Sequence, residues 1–416
     1  MMSINKLYIS EMGSEWRGMY SSQKWLYWLY ALVLTPHIGA IIGAIFGRFG
    51  FSFIQEYVNT ILILIAFLGC FSLFLKRICV SDILFCVFLI VWHLITPLLY
   101  PEVEEYATEN NIRFIFTCIF LYLVGRTFDK NTSFTLLVAI SYIGLILEIL
   151  FLYVFGLEID DTGNERTRMM SRSYTFLPFV LILIWNAFER GGILNFIAPI
   201  IGVFVLFSMG TRGPILCLVF FIAVYLLLFK KFKRNKLVKS LIVVMAAIFY
   251  TFSIPILLFA SQLSASFGLS TRVFDSIFED QMINYQESSG RDLIQQNIID
   301  FISNSNNWLN AEFYRDRIAS GSGSYAHNLE LELLCDFGYI GGGLIIILLF
   351  YLFYQAFRGV WKTPMTPLLL VFFCSSIMQL QFSNSFLLSG VFWLFLGMCF
   401  TMESYNKTKH NFNRQQ

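Results

Sequence analysis

The sequence predicts an all-α fold, a polytopic integral membrane helical bundle of about 12 transmembrane helices with one large extracytoplasmic loop. Three observations predict it: composition, the length of the apolar runs, and the sorting of charge between the loops. Of 416 residues, 57% are hydrophobic, 18% aromatic and 13% charged, against about 45–50% apolar and about 25% charged in a soluble domain. With 46 Phe, 20 Tyr and a mean hydropathy of +0.67, a water-soluble monomer would expose more apolar surface than such proteins tolerate. The same composition excludes a disordered chain, a coiled coil and a disulfide scaffold.

A helix needs about 20 mostly apolar residues to cross about 30 Å of hydrocarbon. Such runs lie near residues 25–46, 57–75, 80–99, 112–125, 133–155, 173–188, 193–209, 214–229, 240–260, 339–357, 365–380 and 385–402. They are continuously apolar rather than alternating, which argues against spanning strands. The first run begins at residue 25 without an A-x-A-like cleavage site and reads as an uncleaved anchor. Three regions follow: residues 1–260 carry spans 1–9, residues 261–336 form the large loop, and residues 337–416 carry spans 10–12 and a cytoplasmic tail.

Basic residues orient the spans. With the N-terminus inside, all 12 Lys fall on the cytoplasmic side, including Lys230, Lys231, Lys233, Lys236 and Lys239. Of the 29 Lys and Arg, 19 lie inside, and the 10 outside are all Arg. Acids show the reverse bias, with Glu148 inside a span. The loops are unequal. Residues 261–336 are polar and hold an expected amphipathic helix at 292–302, with Ile294, Ile298, Phe301 and Ile302 on one face. The outer loop 156–172 carries Glu158, Asp160, Asp161, Glu165, Arg166, Arg168 and Arg172. Long polar loops on a compact bundle are usually functional, so any chemistry is expected on the outer side.

The eight cysteines, at 70, 79, 86, 118, 217, 335, 374 and 399, show no C-x-x-C spacing and read as packing residues. The four His (37, 93, 327, 410) are scattered, without metal-ligand spacing, so no metal is expected. No phosphate-binding Gly-rich loop lies on the cytoplasmic side, and no nucleic-acid partner or cofactor is expected. Glu148, His93, His37 and Glu56 are ionisable groups in or near spans; each reads either as functional or as an inter-helix hydrogen bond.

Residues 321–343, GSGSYAHNLELELLCDFGYIGGG, are the most informative stretch. A Gly/Ser segment leads to His327 and Asn328, then an apolar stripe (Leu329, Leu331, Leu333, Leu334), then Gly338, Gly341, Gly342 and Gly343 opening a span. This places His327 at the membrane surface, with glycines permitting close backbone approach. His327 reads either as a general base for a hydroxyl nucleophile or as a hydrogen-bonded interfacial residue. Arginines form the second group. Arg212 sits in a short outer turn, Arg291 precedes the amphipathic helix, Arg315 and Arg317 follow it, and Arg172 stands at the mouth of the sixth span. Arg binds phosphate through a planar fork and keeps its charge when partly desolvated; the bland reading pairs each with a nearby acid. Trp308, Tyr314 and Tyr325 are candidates for stacking on sugar rings.

Three short segments in this topology, Thr211-Arg212-Gly213, Ser289-Gly290-Arg291 and His327-Asn328 followed by Gly338 and Gly341, resemble the O-antigen polymerase and ligase superfamily of bacterial inner membranes. The resemblance covers the architecture but rests on about ten residues; Arg172 is followed eleven positions on by Leu183, not the glycine of one polymerase motif. It implies a periplasmic-face glycosyltransferase using undecaprenyl-pyrophosphate-linked repeat units. Arg212 and Arg291, with Arg172, Arg315 and Arg317, would hold the donor pyrophosphate. His327 would activate the acceptor hydroxyl, and Asn328, Gly338 and Gly341 would position the loop. A chain-length-determining co-polymerase and a flippase are the implied partners besides the lipid bilayer. Heavy use of Phe, Ile, Tyr, Asn and Ser suggests an AT-rich gene of the kind found in surface-polysaccharide clusters and favours a polymerase. A ligase transferring glycan to lipid A core is the alternative, and a lipid-linked oligosaccharide flippase the second. A transporter would concentrate its polar residues at the midplane, whereas here they gather in outer loops.

Overall fold

The computed structural model describes residues 21–35, 37–128, 134–150, 152, 164–209, 211–228, 262, 266, 291–304, 308–361, 363 and 365–415. The apolar run 240–260, the lysine cluster at 230–239 and nearly all of residues 261–290 lie outside the described residues. Every regular element among the described residues is helical. Thr60–Arg77, Val80–Leu99 and Leu329–Val360 are long and apolar enough to cross a membrane. Shorter apolar helices occupy Phe134–Ile149, Asn195–Ser208, Gly213–Leu227, Met365–Met378 and Gly390–Met402. An all-helical chain with such segments is built for embedding in a membrane, because only there can so much apolar helix surface stay unburied by protein.

The chain divides into two compact units, one ending at Ile83 and the other beginning at Leu84. In the first, α1 (Ser21–Leu34) and α2 (His37–Arg48) both pack on α3 (Ser52–Arg77). The sequence expects a single span over 25–46, but the run is two helices with a break after Leu34. Pro36 accounts for it: proline has no N–H to continue a helix and its ring crowds the preceding turn. Leu29, Tyr30, Ala66, Cys70 and Phe74 fill the core between these helices. Leu68 and Leu75 are 70% and 66% exposed, the pattern of a lipid-facing surface.

Helix α4 (Val80–Leu99) runs from the end of the first unit into the second. There α5 (Glu104–Arg113) and α6 (Phe120–Thr127) flank a π-helical stretch, Phe114–Ile119, and α7 (Phe134–Ile149), α8 (Asn164–Arg190) and α9 (Ile193–Ser208) pack together. Helix α10 (Arg212–Leu228) follows. The polar segment ahead of residue 329 supplies α11 (Arg291–Asn304) and the short α12 (Arg315–Ala319). The last part holds α13 (Leu329–Val360), α14 (Met365–Phe373) and α15 (Gly390–Gln415), with α15 packed against α6, α13 and α14.

Helix α11 coincides with the expected amphipathic segment. Ile298 and Ile302 are buried with Ala319, Ala326 and Cys335, and Ile294 and Phe301 pack around them. This small apolar core joins α11 to α12, to the His327 segment and to the start of α13. Helix α13 is interrupted at Gly338, whose φ of 73° and ψ of 175° are not helical. A side chain is strained at such a φ, so glycine belongs there. The interruption frees backbone groups, and residues 308–312 take them up: Asn310 N donates to Phe337 O at 3.1 Å, Glu312 N to Asp336 O at 3.0 Å, and Ile340 N to Trp308 O at 2.9 Å. Buried backbone groups need such partners, above all near hydrocarbon.

Candidate functional site

Three segments meet around His327. The first is residues 308–328, the second is the beginning of α13, and the third is the turn between α14 and α15, residues 379–389. Tyr325 Oη and Ser383 Oγ lie 3.4 Å apart, Asn328 Nδ2 donates to Gln381 Oε1 at 3.3 Å, and Gln381 Nε2 donates to Glu330 Oε1 at 3.1 Å. Asn328 also caps α13, its Oδ1 accepting from Leu331 N at 2.9 Å, which satisfies a donor that a helix start otherwise leaves unpaired. Among the described residues, the non-glycine residues with positive φ are Tyr314 (69°), His327 (53°) and Asn384 (75°). Each lies in one of these segments. Asn and His adopt this region more readily than most residues, whereas Tyr314 is held there by its surroundings, and such positions concentrate at functional sites.

His327 is half-buried, its ring centroid 4.1 Å from that of Tyr325. Burial, then the positive charges of Arg291 and Arg317, bring its pKa down to about 4. The imidazole is therefore neutral at physiological pH, the state that can accept a proton. Its Nδ1 is buried without a hydrogen-bond partner among the described residues.

Of the five arginines singled out by the sequence, four have described side chains, and these separate into distinct settings. Arg291 Nη1 donates to the neutral carbonyl of Phe382 at 2.8 Å. Arg317 lies over the Tyr325 ring at 4.8 Å, with its Nε 3.8 Å from Asp316 Oδ1. Both belong to the His327 cluster. Arg172 instead donates to Glu148 at 2.8 Å, joining α8 to α7. Glu148 is thus one half of an inter-helix ion pair. Arg315 donates to Glu312 at 3.0 Å and lies over the Phe301 ring at 5.2 Å. Burial pushes the Glu312 carboxyl above its usual range, against the opposing pull of Asn310 and Arg315. Arg212 opens α10, but its side chain, like those of Arg166, Arg168, His37 and Glu56, lies outside the described residues.

The turn that precedes α10 nonetheless docks at this end of the bundle. Thr211 Oγ1 donates to Ser173 Oγ at 2.7 Å. Gly213 lies against the Tyr174 hydroxyl so closely that a Cβ there would collide with it. Tyr174 in turn lies in the electrostatic neighbourhood of Arg291, Tyr325 and Ser383. The Thr-Arg-Gly turn therefore meets α8 at Ser173 and Tyr174. Gly341 stands 3.2 Å from Phe337 Cβ by its ideal Cβ, while Gly342 has the closer approach, to the carbonyl of Leu333. Of the three aromatic candidates, Trp308 is 64% exposed and pairs with Tyr339 at 5.8 Å, and Tyr325 is half-buried. Tyr314 is wholly buried and has no face to offer a sugar. His93 is buried against Phe114, with ring centroids 4.4 Å apart.

Sequence reasoning missed three acids. Asp316, Glu332 and Asp336 are buried, and one carboxylate oxygen from each lies within 4.8 Å of the others. Asp316 Oδ2 accepts from Ala326 N at 2.8 Å, and Asp336 Oδ1 accepts from Asp316 N at 3.1 Å. Glu332 accepts from Ser385 Oγ and from Phe386 N, the latter at 3.1 Å. Glu332 and Asp336 thus tie α13 to residues 379–389 and to residues 308–328, while Asp316 closes a contact within 308–328. Asp316 Oδ1 and Asp336 Oδ2 have no hydrogen-bond partner among the described residues. The available signal was two acids four residues apart, Glu332 and Asp336, inside an apolar stretch. One turn of helix puts such a pair on the same face, and here that face is buried together with Leu329, Leu333 and Cys335.

No family model matches the chain, and neither a curated protein nor a solved structure matches it.

Proposed function

We propose that the protein is a glycosyltransferase of the O-antigen polymerase type. In this reading it extends lipopolysaccharide O-antigen by moving a growing glycan from undecaprenyl pyrophosphate to the sugar of another lipid-linked repeat unit. It does so as a multi-pass protein of the bacterial inner membrane, with about 12 spans and its site on the periplasmic face. The observation that carries the reading is the grouping of a neutral, conformationally constrained His327 with Arg291 and Arg317 in one outer cluster.

The chemistry follows from those groups. A lipid pyrophosphate is already a good leaving group, so the reaction needs charge stabilisation on the departing pyrophosphate and a base for the acceptor hydroxyl. The guanidiniums of Arg291 and Arg317 supply the first, joined by Arg212 from the neighbouring turn. Neutral His327 takes the hydroxyl proton as the acceptor oxygen bonds to the anomeric carbon. The bond from that carbon to the pyrophosphate oxygen breaks, and the electron pair leaves with the pyrophosphate. A single displacement of this kind inverts the anomeric carbon. Arg172 and Arg315, each held by its own carboxylate, set the frame around the cluster.

The direct test is purified protein in lipid nanodiscs supplied with lipid-linked repeat units alone. A ladder of products growing by one repeat unit is expected. Transfer only when lipid A core is added would assign the protein as a ligase. Movement of intact lipid-linked units across a bilayer without any new glycosidic bond would overturn the enzymatic reading.

A further inference from the structure

The His327 segment poses a conformational problem. A histidine at a φ of 53° sits in a region that non-glycine residues adopt at a cost of order 1–3 kcal/mol. Something must hold it there. On its C-terminal side the answer is Asn328, which caps α13 through Leu331 N and reaches Gln381. On its N-terminal side, Ala326 is wholly buried and its N–H donates to Asp316 Oδ2 at 2.8 Å. Asp316 is itself fixed, because its own N–H donates to Asp336 Oδ1 at 3.1 Å. It also faces Arg317, whose Nε lies 3.8 Å from Asp316 Oδ1 and whose guanidinium lies over Tyr325, the ring against His327.

We infer that Asp316 is a positioning residue for His327, holding the Ala326 N–H one residue before it. The inference rests on the transferase reading for its effect on turnover, and on the hydrogen-bond geometry alone for its effect on the His327 segment. Asp316 touches neither donor nor acceptor; it acts through the backbone one residue before the base. An acceptor oxygen is what the geometry requires of it. An amide of the same shape keeps an oxygen for the Ala326 N–H, so it can serve.

The experiment compares Asp316→Ala and Asp316→Asn with the parent protein in nanodiscs. Asp316→Ala should lower transfer turnover by about 100-fold, the scale expected when a catalytic group is misplaced by about 1 Å, while the KM for the lipid-linked donor changes little. Asp316→Asn keeps an oxygen for Ala326 N–H and should restore turnover to within a few fold of the parent. Two readouts do not depend on turnover. In the parent, the Ala326 amide should be strongly protected from hydrogen exchange. Acylation of His327 by diethyl pyrocarbonate, read on its own peptide, should accelerate several-fold in Asp316→Ala and not in Asp316→Asn. An unprotected Ala326 amide overturns the inference even if the alanine variant fails to accumulate. It is also overturned if Asp316→Ala matches the parent, or if Asp316→Asn is as inactive as Asp316→Ala. A parent protein that forms no glycosidic bond would instead refute the transferase reading, leaving exchange and labelling to judge Asp316.

Discussion

Arg172 and Arg291 carry the same charge at the same end of the bundle, yet their surroundings differ in kind. Arg172 is neutralised on the spot by Glu148 at 2.8 Å, an acid with no solvent exposure at all. Arg291 makes its 2.8 Å bond to a carbonyl oxygen, that of Phe382. Arg317 stands between the two cases, over a tyrosine ring and with its Nε 3.8 Å from Asp316 Oδ1. A guanidinium closely bonded to a carboxylate has spent its charge on structure. One bonded to a neutral carbonyl keeps that charge for an incoming anion. The contrast teaches that counting arginines is not enough to locate an anion site; what matters is what already neutralises each one.

The comparison can be broken or sharpened by substitution. The largest effect is expected at His327, the proposed base. His327→Ala should lower chain extension by about 10²–10⁴-fold, the usual contribution of a general base, with normal membrane accumulation. Long chains on a silver-stained lipopolysaccharide gel from that variant would remove His327 from the chemistry. Next come Arg291→Lys and Arg317→Lys, which keep the charge but lose the planar fork. Each should lower kcat/KM for the donor by about 10–100-fold in the nanodisc assay, a loss of about 1.4–2.7 kcal/mol in transition-state stabilisation.

The pH dependence gives a smaller but more specific effect. With His327 held down to about 4 by burial and by the two arginines, the acidic limb of kcat/KM should lie near pH 4 rather than near 6.5. Arg317→Gln removes one of those charges and should move that limb upward. The stability linkage has the same origin. A histidine whose folded pKa is depressed contributes fully above its unfolded value of about 6.5, and the contribution is lost as pH falls from there toward 4. Thermal unfolding in detergent between those pH values should show the loss, and His327→Gln should weaken it.

The smallest effect on activity is expected at the paired arginine. Glu148→Gln should leave turnover within about twofold of the parent and lower stability by about 1–3 kcal/mol, the cost of leaving a buried polar group poorly satisfied. Thermal melting measured beside turnover would check both halves of that statement.

The amphipathic face of α11 was legible because Ile294, Ile298, Phe301 and Ile302 repeat at helical spacing, and that spacing alone determines which side is buried. Gly338 was legible as a special position but not as a helix break. The break depends on residues 308–312, some thirty positions away in sequence, supplying partners for the freed backbone groups. The His327, Arg291 and Arg317 cluster was half-legible: the residues could be named, but nothing in their spacing distinguished Arg317 from Arg315 two positions before it. Asp316 was missed because an acid in a polar loop reads as solvated, and Glu332 and Asp336 because acids set among leucines give no sign in the sequence of what will cover them. Their burial is decided by the fold of three separate segments. The run at 25–46 shows the opposite error, where hydropathy alone overrode the warning of Pro36.

The contrast between the two kinds of arginine is tested most directly by the dissociation constant for undecaprenyl pyrophosphate, measured on purified protein in nanodiscs. Substituting Arg291 and Arg317 together by Lys is expected to weaken binding at least about tenfold, a cost of about 1.4 kcal/mol or more, while Glu148→Gln leaves it unchanged. Unaltered affinity in the Arg291/Arg317 variant, with affinity lost in Glu148→Gln, would contradict the account.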